Sequence, residues 1–398
     1  MASSSPISLP SLVSHLSING NSTRILHPDN WRRVYLEALR ISFRQCCLST
    51  FLSLVDDDEH DILAARDCPS TFINSDNLDF LYATLRKPSS FCYQDFPMYL
   101  PSGQINRFAF DLRTIAIGPR YPYQYLDGLI DFIFTQVHDY ARYGVQVIGD
   151  NHWGYTGDSW TLPMDFGDEK TSITITPKLM VRFAATRKAQ ETTPRALPPP
   201  ILMLLDLHPE VARRHSSQAT VSAYLLSAAQ AHLRYHTTST VATPCLIAIR
   251  YRTYPGTRTP IYVIYTARIT RSYLDLVCEH RNVTETATIY SSTEYDTTDK
   301  AQMIDFAEAL LQLCPRLVGK AVHKCGGENA VLASAAVTQD ARLDELWQAE
   351  EERLRLREEE EERRKKRELQ RAKKRKRAQG AEKRKKVKTE VPWAVSVH

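Results

Sequence analysis

The sequence predicts an α/β or α+β body, a mixed sheet flanked by helices, with a long charged C-terminal helix. Three observations predict it. Amphipathic helical stretches alternate with short apolar runs of strand length between residues 30 and 313. Turn residues break those runs into hairpins. From about Leu343 the chain becomes almost wholly charged. The expected division is a mobile Ser-rich N-terminus over 1–25, a globular body over 26–335, and a charged helix with a basic tail over 340–390.

The first element expected is a helix from Asn30 to about Leu54, with Val34, Leu36, Leu39, Ile41 and Phe43 frequent enough to bury most of it. A second helix spans Tyr121 to Tyr143. Leu126, Leu129, Ile130, Ile133, Phe134, Val137 and Ala141 form its apolar stripe, and Asp127 and Asp131 lie four apart on one face. Extended segments follow at Val145–Trp153 and Thr161–Phe166, read as a hairpin across Gly157-Asp158. Ser172–Thr176, Leu179–Ala184 and Ile201–Leu207 also read as strands. Four prolines make 188–200 a loop. Ser216-Ser217 caps a helix running to about Tyr235. A second hairpin joins 244–253 to 260–269 across Tyr254-Pro255-Gly256-Thr257, and Lys300–Leu313 is amphipathic.

Composition excludes several classes. No run reaches the roughly 18 apolar residues of a membrane span. The first residues lack the charge and apolar core of a secretory signal. The eight cysteines contain no CxxC pair and read as reduced core thiols. No GxGxxG, Walker or GxSxG pattern occurs. His208, His215, His232 and His236 have no coherent metal spacing. His323-Lys324-Cys325-Gly326-Gly327 reads as a loop rather than the home of a reactive thiol.

One constellation points to chemistry. Val147-Ile148-Gly149-Asp150 ends one strand region with an acid, and Asp168-Glu169-Lys170 ends the next with D-x-K. Over about Tyr121 to Arg268 this resembles the PD-(D/E)XK nuclease-like superfamily. The resemblance implies a preceding helix with a further acid, two strands carrying the Asp and the (D/E)xK, and a helix and later strands closing a mixed sheet. It implies Asp150 and Asp168 as ligands of Mg²⁺, Lys170 as the catalytic lysine beside Asp168, and Asp127 or Asp131 as the helix acid. Asp168 and Lys170 are two apart, so on a strand they share a face. A two-residue turn at Gly157-Asp158 sets Asp150 opposite Asp165, whereas a three-residue loop at Asp158-Ser159-Trp160 sets it opposite Asp168. Both registers remain open.

The tail carries the strongest signal. Between Arg363 and Lys388 sixteen Lys or Arg stand against Glu368 and Glu382. They group as Arg363, Arg364, Lys365, Lys366 and Arg367, then Lys373, Lys374, Arg375, Lys376 and Arg377, then Lys383, Arg384, Lys385 and Lys386. Outside 344–390 the chain holds 32 bases and 33 acids, so any field for a polyanion belongs to the tail. Glu351–Arg355, Glu359–Arg363, Glu360–Arg364, Glu361–Lys365 and Glu362–Lys366 are i,i+4 pairs, each worth about 0.2–0.5 kcal/mol. They predict a lone charged helix over 344–379. The sequence thus leads to a nuclear, nucleic-acid-associated or regulatory protein with a nuclease-like body. Its expected partners are a nuclear import receptor and DNA or RNA, with no membrane. The alternative is a Mg²⁺-dependent nuclease.

Overall fold

The computed structural model describes residues 33–56, 73–86, 122–149, 162–164, 173–175, 177–184, 198–207, 217–254, 257–279, 281–296, 298–337, 348, 352–357, 359–368 and 370. Residues 1–338 form one compact unit and 339–398 a second.

The first unit is an α/β fold. In chain order its elements open with helix α1 (Arg33–Ala38), strand β1 (Ile41–Gln45), helices α2 (Leu48–Asp56), α3 (Ser75–Arg86) and α4 (Pro122–Asp131), and strand β2 (Val145–Gly149). Strands β3 (Leu162–Met164), β4 (Ile173–Ile175), β5 (Leu179–Phe183) and β6 (Leu202–Asp206) follow, then helix α5 (Ser217–Tyr235). Next come β7 (Val241–Ala242), β8 (Cys245–Tyr254), β9 (Thr257–Ala267), β10 (Ile269–Thr270), helix α6 (Arg271–Cys278), β11 (Ala287–Ser291), β12 (Tyr295–Asp296) and helix α7 (Lys300–Lys324). A last helix, α8, covers 328–337.

The main sheet runs β1-β11-β9-β8-β6-β5-β2, with β12 also on β9. It is mixed: β1 with β11 and β6 with β8 are parallel, and the other pairs are antiparallel. Strand periodicity sorts its side chains into two cores. Val181, Leu202, Leu204, Ile247, Ile249 and Ile264 face one side, where α2, α3, α4 and α7 cover them. Met203, Leu205, Leu246, Ala248, Val263 and Ile289 face the other, under α1, α5 and α6. Helix α5 makes the crossover between parallel β6 and β8. It is buried almost all round because β3 packs on it as well as the sheet.

Several expectations change. Residues 30–54 are not one helix. Arg40 adopts a left-handed φ of 50° and ends α1, and its guanidinium donates to the Thr284 carbonyl at 3.0 Å. The chain then pairs as β1, where Ile41 and Phe43 pack on the core and Ser42 and Arg44 do not. The apolar residues here fit a period of two as well as one of 3.6, and only the long-range pairing with β11 decides. The second helix stops short of Tyr143. Past α4 it becomes a π-helical turn over Phe132–Val137, then breaks at Asp139 with φ 52°. The predicted stripe is therefore buried up to Val137, whereas Ala141 is exposed on a 3₁₀ turn. Finally, the 145–153/161–166 hairpin does not form, because β2 pairs with β5 and β3 with β4. Neither register expected for Asp150 applies to described strands.

Helix α7 outruns its predicted end by passing through Pro315. A proline lacks the N–H that would bond the carbonyl four residues back, here that of Leu311. Asp299 caps the start of α7 by accepting from the Ala301 N–H at 2.9 Å.

Candidate functional site

Of the expected acids, the structure describes the backbone of Asp127 and Asp131 on one helix. Asp131 is the last residue of α4, where its backbone carbonyl accepts from the Thr135 hydroxyl at 2.7 Å. Asp127 belongs to the middle of the same helix. Asp150, Asp168 and Lys170 lie outside the described residues. Asp150 follows the last residue of β2, and Asp168 and Lys170 belong to the eight-residue link from β3 to β4. That link leaves and re-enters a two-stranded sheet separate from the main one.

On the main sheet, the acid next to the crossover is Asp206. It is the only carboxylate in β2, β5 and β6 (VQVIG, LMVRF and LMLLD), and it ends β6. Strand parity puts it on the face of Leu202 and Leu204. Because β6 and β8 are parallel, their carboxyl ends adjoin, and the Tyr251 hydroxyl of β8 donates to Asp206 Oδ1 at 3.0 Å. In open α/β sheets, ligands gather at the carboxyl ends of such strands. The sequence signal was an apolar run, Ile201–Leu205, closing on an acid. Arg182 escaped notice too: it is fully buried on β5 opposite Gln146, on the sheet face away from Asp206.

Arg250 and Arg252 of β8 form a charged cluster. Arg250 and Arg252 donate to Glu294 at 3.1 and 2.8 Å, and Arg252 lies 3.7 Å from Asp296. All are partly exposed, so the cluster fastens the β11–β12 bend to the hairpin.

The histidine and cysteine candidates meet at helix ends. His232 Nε2 is 3.2 Å from Lys324 Nζ, and the His232 and His236 rings are 4.7 Å apart. Burial, reinforced by the Lys324 ammonium, lowers His236 to about 4. Burial raises the Cys325 thiol, which removes the activation a nucleophile needs. The loop expected over 323–327 is shorter: His323 and Lys324 end α7, and only Cys325, Gly326 and Gly327, the glycines at φ 96° and 90°, turn the chain. His208 and His215 lie outside the described residues.

The six described cysteines are free and not all in the core. Cys245 and Cys314 are buried, whereas Cys47 is exposed. Hydroxyl hydrogen bonds from Ser49 and then Thr50, with help from the Thr50 backbone N–H, lower Cys47 to about 7. Cys68 and Cys92 lie outside the described residues. Among the described residues no group of three or more His, Cys, Asp or Glu is placed to hold a metal ion, and no helix is long and apolar enough to cross a membrane.

In the second unit the described tail residues, between 348 and 370, are helical and exposed. Glu359–Arg363 and Glu362–Lys366 pair at 3.6 and 3.2 Å with the expected spacing. Arg364 pairs with Glu368 at 3.5 Å instead of with Glu360, and Arg355 with Glu352 at 2.8 Å. No protein-family model matches the chain, and no characterised protein sequence matches it.

Proposed function

We propose that this is a nuclear, nucleic-acid-associated regulatory protein whose basic tail holds the polyanion and whose body is a nuclease-like scaffold. The observation that carries the reading is charge segregation. Sixteen bases and two acids fall within 363–388, while the chain outside 344–390 is close to neutral. Nuclear import through the same clusters follows from their spacing. The test compares the full chain with a 1–342 truncation for duplex DNA and RNA binding at two salt concentrations. Tail-borne binding weakens steeply with salt and is lost in the truncation. Equal affinities would return the function to the body.

A second reading, a Mg²⁺-dependent nuclease, is favoured by one observation. Helix α4, the antiparallel run β2-β5-β6, crossover helix α5 and parallel strand β8 follow the order that the PD-(D/E)XK resemblance implies. On that reading Asp206 joins Asp150, Asp168 and Lys170 as a residue to test, with Asp127 or Asp131 as the helix acid. Mg²⁺ held by such carboxylates would stabilise charge developing on a scissile phosphate. Cleavage assays with Mg²⁺ or Mn²⁺ on the wild type, Asp206→Ala, Asp168→Ala and Lys170→Ala decide it. Activity that disappears in folded variants supports the nuclease. Its absence from the wild type on both DNA and RNA leaves the scaffold reading.

A further inference from the structure

We infer that the three basic clusters of the tail are not equivalent. The first, Arg363–Arg367, is neutralised within its own helix, and the nucleic-acid contact belongs to the bases from Arg371 onward. This rests on the tail-binding reading above and asks which residues deliver it.

Residues four apart share a face and lie about one turn, roughly 6 Å, from each other along the axis. That is shorter than the Debye length of about 8 Å at physiological salt, so an acid one turn away still cancels a base. Five acids, Glu358–Glu362, immediately precede the five bases Arg363–Arg367, and Glu368 follows them. Three of those bases are seen in ion pairs: Arg363 with Glu359, Lys366 with Glu362, and Arg364 with Glu368. Residues 358–368 therefore carry six acids and five bases, a net charge of −1.

The next stretch is built otherwise. Residues 369–390 contain eleven bases against Glu382 and Glu390, a net charge of +9. No run of acids stands one turn before Lys373–Arg377. Counterion release follows the phosphates that a protein neutralises. Bases already neutralised by their own helix release few counterions, so the second and third clusters supply most of the attraction. The segment 352–368 then acts as a nearly neutral stalk for a strongly basic end.

The two five-base clusters allow a test at constant charge. Full-length protein is titrated by fluorescence anisotropy against a labelled duplex of about 20 bp over a series of salt concentrations. One variant changes Arg363, Arg364, Lys365, Lys366 and Arg367 to Gln. A second changes Lys373, Lys374, Arg375, Lys376 and Arg377 to Gln. Circular dichroism follows helix content in both. The second variant should lose about tenfold or more in affinity and flatten the log–log salt slope by about 4, whereas the first should change affinity by less than about threefold. A third variant, with Glu359, Glu360, Glu361 and Glu362 changed to Gln, should bind more tightly than the wild type by uncovering the first cluster. Equal losses in the first two variants, or no gain in the third, overturn the division. A full-length variant lacking all three clusters that binds as well as the wild type overturns the tail reading itself, and so does a wild type that does not bind.

Discussion

At the residue scale, His138 illustrates how one backbone defect sets the state of a buried group. It follows the π-helical turn, is almost fully buried, and stacks on Tyr140 at 5.2 Å. Burial pushes it down to about 4, and the Leu311 carbonyl, four residues before Pro315, partly opposes the shift. A histidine held neutral in the fold binds fewer protons than in the unfolded chain, whose value is near 6.5. Its contribution is therefore intact above about pH 6.5 and is lost as pH falls toward 4, on the order of 3 kcal/mol in all. His236 is lowered similarly and titrates in the same window. Urea unfolding of the wild type should show stability falling between these limits, and His138→Phe should flatten that fall. An unchanged profile would mean that His138 titrates in the fold as it does in the unfolded chain. Arg271 gives a second residue-scale expectation. Its guanidinium donates to the carbonyls of Leu233 in the last turn of α5 and of His236, Thr237 and Ser239 just beyond it. Arg271→Ala should cost about 2 kcal/mol by the same measurement, and Arg271→Lys should recover only part, because an ammonium cannot reproduce the fork.

At the element scale, the bend between β11 and β12 shows what a sequence reading cannot reach. Both strands pair with β9, but Ser292 interrupts the ladder. Its backbone exchanges one bond with Ile264, and its hydroxyl takes the Ile264 N–H at 3.0 Å while donating to the Thr293 carbonyl at 2.8 Å. Ser292 is buried, so Ser292→Ala should leave the Ile264 N–H unsatisfied and destabilise by about 1–3 kcal/mol, read as a shift of the urea midpoint. The hairpin β8–β9 was legible because Pro255-Gly256 marks a two-residue turn between alternating strands, and the register closes Tyr254 on Thr257. Helix α5 and strand β6 were legible from local pattern as well. Strand β11 was not, since Ala287–Ser291 is a short mixed run whose partners are β1 and β9, each distant in sequence. The same distance hid β1 inside an expected helix. It also hid the pairing of β2 with β5, which skips a whole hairpin. Asp168 and Lys170 were singled out by spacing within a segment, but spacing does not say which sheet the segment joins. Asp206 was hidden for the opposite reason: its neighbour Tyr251 arrives from across the crossover helix.

At the scale of the whole molecule, the two units divide the work between packing and charge. Both buried cores draw only on residues up to Val331, and the described tail helix is exposed throughout. The hydrophobic stabilisation of the body thus has no contributor beyond residue 338 among the described residues. The tail helix in turn rests on short-range ion pairs such as Glu362–Lys366, each worth only a few tenths of a kcal/mol and weakened by salt. A chain ending at residue 338 should therefore unfold in urea with the same midpoint and slope as the full protein, to within about 0.5 kcal/mol. A reporter carrying residues 340–398 should enter the nucleus, while the same reporter carrying the body should not. Raising salt should reduce the helix signal of the tail fragment and leave the body's signal unchanged. A body that loses stability on truncation would show that the tail packs against it, and a reporter that stays in the cytosol would remove nuclear import from the tail's role.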